Sequence, residues 1–243
     1  MNNKNKFYSQ FGEDLILNNI FSNKNKGFCI EVGANDGLKH SNTAFFESIG
    51  WDCILIEPNP ELNKDLKKNR PNSIIHNYAL SDNEGVIDLF IATGEKFSHG
   101  VSTVCGDINS LNNEAKYGFK YISKLVKKTT LNSLLELSLK SRKKIDFVTI
   151  DVEGHELEVL KGFDLGKWKP YIILVEDNSN CTDKKVCNFL LKNGYRPFKR
   201  TGVNDWYCLK NNKEFGLFES FLKYNLIYIL KRLKHLLRSK FNI

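Results

Sequence analysis

The chain has 243 residues, 41% apolar and 26% charged, which suits one α/β domain with a full core and is short for two. Its net charge of +8 invites a nucleic-acid reading, but Lys223, Lys231, Arg232, Lys234, Arg238 and Lys240 all follow the last acid, Glu219, and leave only +2 for the body. A basic groove across the fold, and with it nucleic-acid binding, is excluded.

Six cysteines without a CxxC pair read as reduced thiols, two of them within apolar strand-like runs. The first residues are polar, and no apolar run reaches the roughly 18–20 residues that a membrane span needs, so a cytoplasmic protein is expected.

In chain order, the first motif is YSQFGED (Tyr8–Asp14), whose Gln10, Glu13 and Asp14 either line a cleft or cap a helix. Phe28–Val32 (FCIEV) reads as a buried parallel strand, apolar except for Glu31 near its carboxyl end. Gly33 and Gly37 then let the backbone turn and approach a ligand closely. A helix from about Ser41 points its N-terminal amides back at the same spot, so a ligand with an amine and a nucleoside is expected there.

Cys53–Glu57 repeats the strand pattern. Glu57, in LIEPNP, lies 24 positions beyond Gly33, where a carboxylate accepts two hydrogen bonds from a ribose diol or caps the helix Pro60–Asn69. Ser73–Tyr78 is a third strand, and NYALSD (Asn77–Asp82) after it offers polar groups to an adenine or shapes the turn before Gly85. Val86–Ala92 adds a strand. Residues 94–129 are irregular and are read as a lid or substrate insertion over the ligand edge.

The fourth strand, Asp146–Asp151, ends in IDVEGHE, and the fifth, Tyr171–Glu176, ends in VEDN. Four carboxylates, Asp151, Glu153, Glu176 and Asp177, thus converge on one cleft. They need protons, hydrogen bonds or a hard cation; Mg2+ on Asp151, Glu176 and Asp177 fits, with a carboxylate or His155 nearby to take a proton.

A helix Lys184–Asn193 follows, then strands Tyr195–Arg200 and Asp205–Lys210, joined too tightly for a crossover and therefore a hairpin. From Phe218, apolar residues recur at helical spacing beside lysines and arginines. Residues 213–243 are read as a basic amphipathic helix that lies on an anionic membrane face, on the body or on a second subunit of an oligomer.

Taken together, YSQFGED, EVGANDG with SNT (Ser41–Thr43), IEPNP, ALSD (Ala79–Asp82) and DVEGHE with VLKG (Val159–Gly162) resemble the FkbM family of S-adenosylmethionine-dependent methyltransferases, over roughly residues 8–210. The resemblance implies a Rossmann-like class I methyltransferase domain over 1–212: a seven-stranded, mostly parallel sheet with a C-terminal antiparallel hairpin and helices on both faces.

It further implies that Glu31, Gly33, Ala34, Asn35, Gly37 and Asn42 surround the methionine part of the cofactor. Glu57 and Pro58 then meet the ribose, Asn77, Ala79 and Ser81 lie near the adenine, and Asp151 closes the set. Asn35 stands where a middle glycine is common, and Asn tolerates left-handed backbone.

The implied reaction is O-methylation of a sugar hydroxyl on a glycan or glycolipid. A looser similarity to metal-dependent sugar O-methyltransferases implies Asp151, Glu176 and Asp177 as metal ligands and Glu153 as base, with His155 the other candidate. Two further readings stand beside it. A nicotinamide oxidoreductase is disfavoured by the hairpin and the lack of GxGxxG. A noncatalytic module would keep the fold and bind a partner or membrane through its tail.

Overall fold

The structure is a computed structural model that describes residues 6–94, 102–106, 108, 109, 111, 120–139, 144–179 and 182–215. Its strands are β1 (Phe28–Val32), β2 (Asp52–Ile56), β3 (Ile74–His76), β4 (Ala79–Leu80), β5 (Gly85–Thr93), β6 (Lys120–Thr129), β7 (Phe147–Ile150), β8 (Ile172–Glu176), β9 (Tyr195–Thr201) and β10 (Asn204–Leu209).

Seven of them form one sheet in the order β3-β2-β1-β7-β8-β10-β9. β3, β2, β1, β7 and β8 run parallel, and β10 pairs antiparallel with both β8 and β9. The hairpin expected from the short Thr201–Asn204 link therefore closes the sheet, with its second strand placed inside its first. This is the expected class I methyltransferase sheet.

β1 is buried along its whole length, as a central strand covered on both faces must be. Phe28, Ile30 and Val32 face one apolar layer, with Leu131, Leu134 and Leu135 of the helix Leu131–Ser138 and Val159 and Leu160 of the helix Glu156–Lys161. Cys29 faces the other, with Leu17, Phe45, Phe46 and Leu66. Alternation along one strand thus puts helices on both sides of the sheet, each buried Leu, Ile or Phe contributing roughly 1.5–3 kcal/mol.

The expected helices are present and shorter: Ala44–Ser48 and Asn63–Asn69 begin later, and Lys185–Lys192 loses a residue at each end; Glu156–Lys161 is a further helix after β7. The reading of 94–129 as an irregular insertion is corrected at its end. Lys120–Thr129 is a ten-residue strand whose nine register partners run along β5, and with β4 the two make a second, three-stranded sheet. The remainder of that insertion, apart from Ser102–Gly106, 108, 109 and 111, lies outside the described residues, as does the basic tail from residue 216.

Glu13 and Asp14, expected at a cleft or a cap, are fully buried and serve the fold. Asp14 accepts from the Tyr8 and Ser9 amides and the Ser9 hydroxyl, folding the segment before the helix Glu13–Ile20. Glu13 Oε1 accepts from Thr201 Oγ1 at 2.8 Å and Asn204 Nδ2 at 2.9 Å, fastening that helix to the closing hairpin. Phe11 packs its ring on Gly202, where a Cβ would sit 2.3 Å from it.

The five described cysteines are free thiols, Cys29 and Cys53 lying side by side across β1 and β2. No helix among the described residues is long and apolar enough to cross a membrane.

Candidate active site

Sheet order reverses between β1 and β7, so their carboxyl ends diverge and open a crevice where ligands of such sheets bind. Gly33 leaves β1 with φ +86°, and its N–H donates to the Ile56 carbonyl at 2.9 Å. A Cβ there would lie 1.8 Å from the Asp151 carbonyl oxygen, so only glycine lets the two strand ends pass this closely. Asn35 holds the expected left-handed backbone at φ +51°.

Glu31 borders the crevice, but its carboxylate is engaged by the turn itself. It accepts from Ser41 Oγ (2.7 Å), Thr43 Oγ1 (2.5 Å) and the Asn42 amide (2.7 Å), with Arg70 Nη1 at 3.6 Å. The amides expected to point from the next helix at a ligand are likewise taken: Ser41 Oγ accepts from Thr43 N and Ala44 N. Beneath them, Arg70 Nε donates to Glu47, Nη1 to the Gly37 carbonyl and Ser41 Oγ, and Nη2 to Thr43 Oγ1. Gly37 is needed here as packing, since a Cβ would meet Arg70 Cγ at 2.6 Å.

The cleft above is open to solvent at its mouth. Of the expected residues, Glu31, Gly33, Ala34, Asn35, Asn42, Glu57, Pro58, Ala79, Asp151, Glu153 and His155 line it. Gly37, Asn77 and Ser81 do not. Asn77 Nδ2 donates to the Glu57 carbonyl, and Ser81 Oγ sits 3.1 Å from His155 Nε2, so both brace lining residues from behind.

Sequence reasoning missed Tyr78, Leu80 and Leu89, which give the cleft an apolar side; Ser102, Thr103 and Val104, which also line it, fall within the stretch read as a lid or substrate insertion but were not singled out. Leu89 belongs to the recognised strand VIDLFIA. Ser102, Thr103 and Val104 carry no local signal, because their place depends on a bridge between Phe90 and Thr103.

Two features fit a ligand that joins an amine to a ribose. Asn42 is buried with Nδ2 donating to Thr149 Oγ1 at 3.0 Å, while its Oδ1 has no hydrogen-bond partner, an acceptor suited to an ammonium group. The Glu57 oxygens accept from Asn35 N (2.9 Å) and Asn59 N (2.8 Å) and keep further lone pairs for a diol. Burial raises the Glu57 pKa to about 7 against the pull of those two amides.

At the β7 and β8 ends, oxygens of Asp151, Glu153 and Glu176 lie within 4.8 Å of one another. This corrects the expected metal set of Asp151, Glu176 and Asp177. Asp177 is drawn away by Arg200, which donates to its Oδ2 at 3.0 Å and to its carbonyl at 2.9 Å, and Glu153 occupies the third place.

Protons answer the crowded charge. Burial, then Asp151 and Glu156, push the Glu153 pKa to about 8. Burial raises Glu176 and Asp151 as well, the two sharing a hydrogen bond. The His155 pKa is lowered by burial, against the pull of Glu158 and Asp82, and Cys105 Sγ lies 3.7 Å from its Nδ1.

The loop Asp151–Glu158 divides two clefts. Asp151, Glu153 and His155 face the first. Gly154, Glu156 and Glu158 face a second of about 890 Å³, whose lining includes Glu176, Asn178, Ser179 and Tyr207. Glu153 (φ +53°) and Gly154 (φ +101°) turn the backbone between β7 and the helix Glu156–Lys161, and Glu156 Oε1 accepts from the Val152 and Gly154 amides to fix that turn.

A family model described as Methyltransferase FkbM domain matches residues 31–197. No curated protein matches the chain. Among solved structures, similarity is found to a ribosomal protein L11 methylase from Lactobacillus delbrueckii subsp. bulgaricus, 8% identical over 80% of this chain and 74% of that one, with a TM-score of 0.43. A TehB-like SAM-dependent methyltransferase from Corynebacterium glutamicum is 9% identical over 85% and 90%, TM-score 0.42. A precorrin-6y C5,15-methyltransferase from Geobacter metallireducens is 12% identical over 80% and 84%, TM-score 0.41.

Proposed function

The chain belongs to the FkbM methyltransferase family, and from that premise we propose that it transfers a methyl group from S-adenosylmethionine to a hydroxyl of a carbohydrate, on a glycan or glycolipid. The observation that carries this reading is Glu153, a half-buried carboxylate grouped with Asp151 and Glu176, with a pKa of about 8, on the segment that parts the two clefts.

The cofactor supplies an electrophilic sulfonium methyl. Asn42 Oδ1 is free to hold its amine, Glu57 its ribose diol, and Tyr78, Leu80 and Leu89 its base. A sugar hydroxyl has a pKa far above 7 and needs a base as it attacks. Once ionised, a carboxylate that binds its proton more tightly than usual is a stronger base; Glu153 is that group, and its ionised, active fraction grows as pH rises toward 8. In the second cleft, Asn178, Ser179 and Tyr207 beside carboxylates offer hydrogen bonds to a hydroxyl-rich acceptor.

Transfer of label from S-adenosylmethionine to fractionated cell glycans tests this. Glu153→Gln should lower turnover by about 10²–10⁴-fold while leaving calorimetric affinity for S-adenosylhomocysteine intact. Undiminished turnover removes Glu153 as base, and binding of NAD in place of S-adenosylhomocysteine overturns the cofactor. A divalent cation on Asp151, Glu153 and Glu176 is a second way to neutralise the cluster, favoured by its 4.8 Å span; turnover that survives EDTA removes it.

A further inference from the structure

We propose that the Thr103 hydroxyl is a positioning residue for Glu153, latching the segment that covers the cleft to the loop that carries the base. Thr103 lies in Ser102–Gly106, a described part of the stretch between β5 and β6, and is itself buried. Its backbone forms a two-way bridge with Phe90 of β5, donating N–H to the Phe90 carbonyl at 3.1 Å and accepting the Phe90 N–H at 2.8 Å. Ser102 Oγ accepts the Ala92 amide at 3.2 Å. The segment is thereby fixed to the edge of β5 across the cleft from β7.

From this footing, Thr103 Oγ1 donates to the Glu153 carbonyl at 2.7 Å and accepts the Cys105 amide at 3.0 Å. Glu153 needs such a partner. Its φ of +53° is a conformation that a residue with a Cβ rarely adopts, and it must be held there by neighbours. Glu156 Oε1 holds the amides on either side, at Val152 and Gly154, but among the described residues only Thr103 holds the Glu153 carbonyl.

Losing that bond would loosen the turn at Glu153 and, with it, the Cα from which the carboxylate is held in its group with Asp151 and Glu176. Placement of the covering segment and placement of the base are thus joined: with Ser102–Gly106 held on β5, the Glu153 backbone is held too. This inference rests on Glu153 being the base, whereas the latch itself rests only on the geometry above.

Hydrogen exchange on the full chain tests the latch without an acceptor. Thr103→Val keeps the β-branched shape and removes the hydroxyl; it should speed exchange about fivefold both in residues 150–158 and in 102–106, the range expected for losing one net hydrogen bond. Thr103→Ser should stay within about twofold of wild type. Unchanged exchange at 150–158 in Thr103→Val overturns the latch, and comparable melting temperatures for the three proteins exclude simple misfolding.

The catalytic consequence is read as a split of kinetic constants. Labelled transfer to fractionated glycans should show kcat falling about 10- to 100-fold in Thr103→Val, with S-adenosylhomocysteine affinity unchanged and Thr103→Ser recovering most of the loss. Equal kcat in Thr103→Val overturns the positioning role. Wild-type protein that transfers no label refutes the proposed function instead, and the exchange result then still decides the latch.

Discussion

The two halves of the sheet's carboxyl edge use the same acidic side chains in opposite ways. Under the β1 turn, Glu31 and Glu47 are buried beside Arg70, itself 2% exposed, and the three are knit to Ser41, Thr43 and the Gly37 carbonyl. At the β7 and β8 ends, Asp151, Glu153 and Glu176 lie together with no lysine or arginine ion pair to any of them among the described residues, and raised pKa values result. The first arrangement spends its charges on shape. The second leaves its carboxylates hungry for protons, which is costly for the empty protein and useful for chemistry.

Removing the cation should break the first half most severely. Arg70→Met leaves two buried carboxylates without a partner and should cost about 3–5 kcal/mol in urea unfolding, with loss of S-adenosylhomocysteine binding as the turn loosens. Little change would mean that the β1 turn does not depend on its charges.

The second half should respond with the opposite sign. Glu153 has a folded pKa of about 8 against an ordinary 4.5, so its contribution to stability is fully present below about 4.5 and is lost as pH rises through 8. The unliganded wild type should therefore lose melting temperature between pH 5 and 9. Glu153→Gln should flatten that fall and melt a few degrees higher at pH 9, even as it loses turnover. A parallel pH dependence in both proteins would dissolve the contrast.

The smallest effect serves as the calibration. Lys124 and Glu61 meet at 3.8 Å with both side chains largely exposed, and Lys124→Ala should change stability by less than about 0.5 kcal/mol.

Much of this was legible in sequence because the signals are local. Five apolar runs gave the parallel strands, the four-residue Thr201–Asn204 link gave the hairpin, and strand-end acids gave the cluster. What escaped depends on distant partners. Lys120–Thr129 carries lysines on both faces and lacks alternation, since much of that strand faces solvent, and its pairing with β5 is what makes it a strand. Arg70 closes a helix without any pattern of its own; its partners lie 23–39 positions back in the chain.

Asp177 sits beside Glu176 in sequence, and only Arg200, brought in by the hairpin, separates their roles. The helix Leu131–Ser138 is a different case. Its signals, a Thr130 cap on Ser133 and the spacing of Leu131, Leu134 and Leu135, are local and were overshadowed by the irregular stretch before them.

The bonds from Glu13 to Thr201 and Asn204 also set an order of events during synthesis. They span 188 and 191 positions, so a buried carboxylate waits for the closing hairpin of the sheet before its partners exist. Until then the first helix is held to the sheet by apolar packing alone, through Leu17 against Cys29 and Phe147, and β8 has an open edge where β10 will enter. A nascent chain of this protein exposes that edge until residue 209 clears the ribosome, and it is the interval in which a chaperone would matter most.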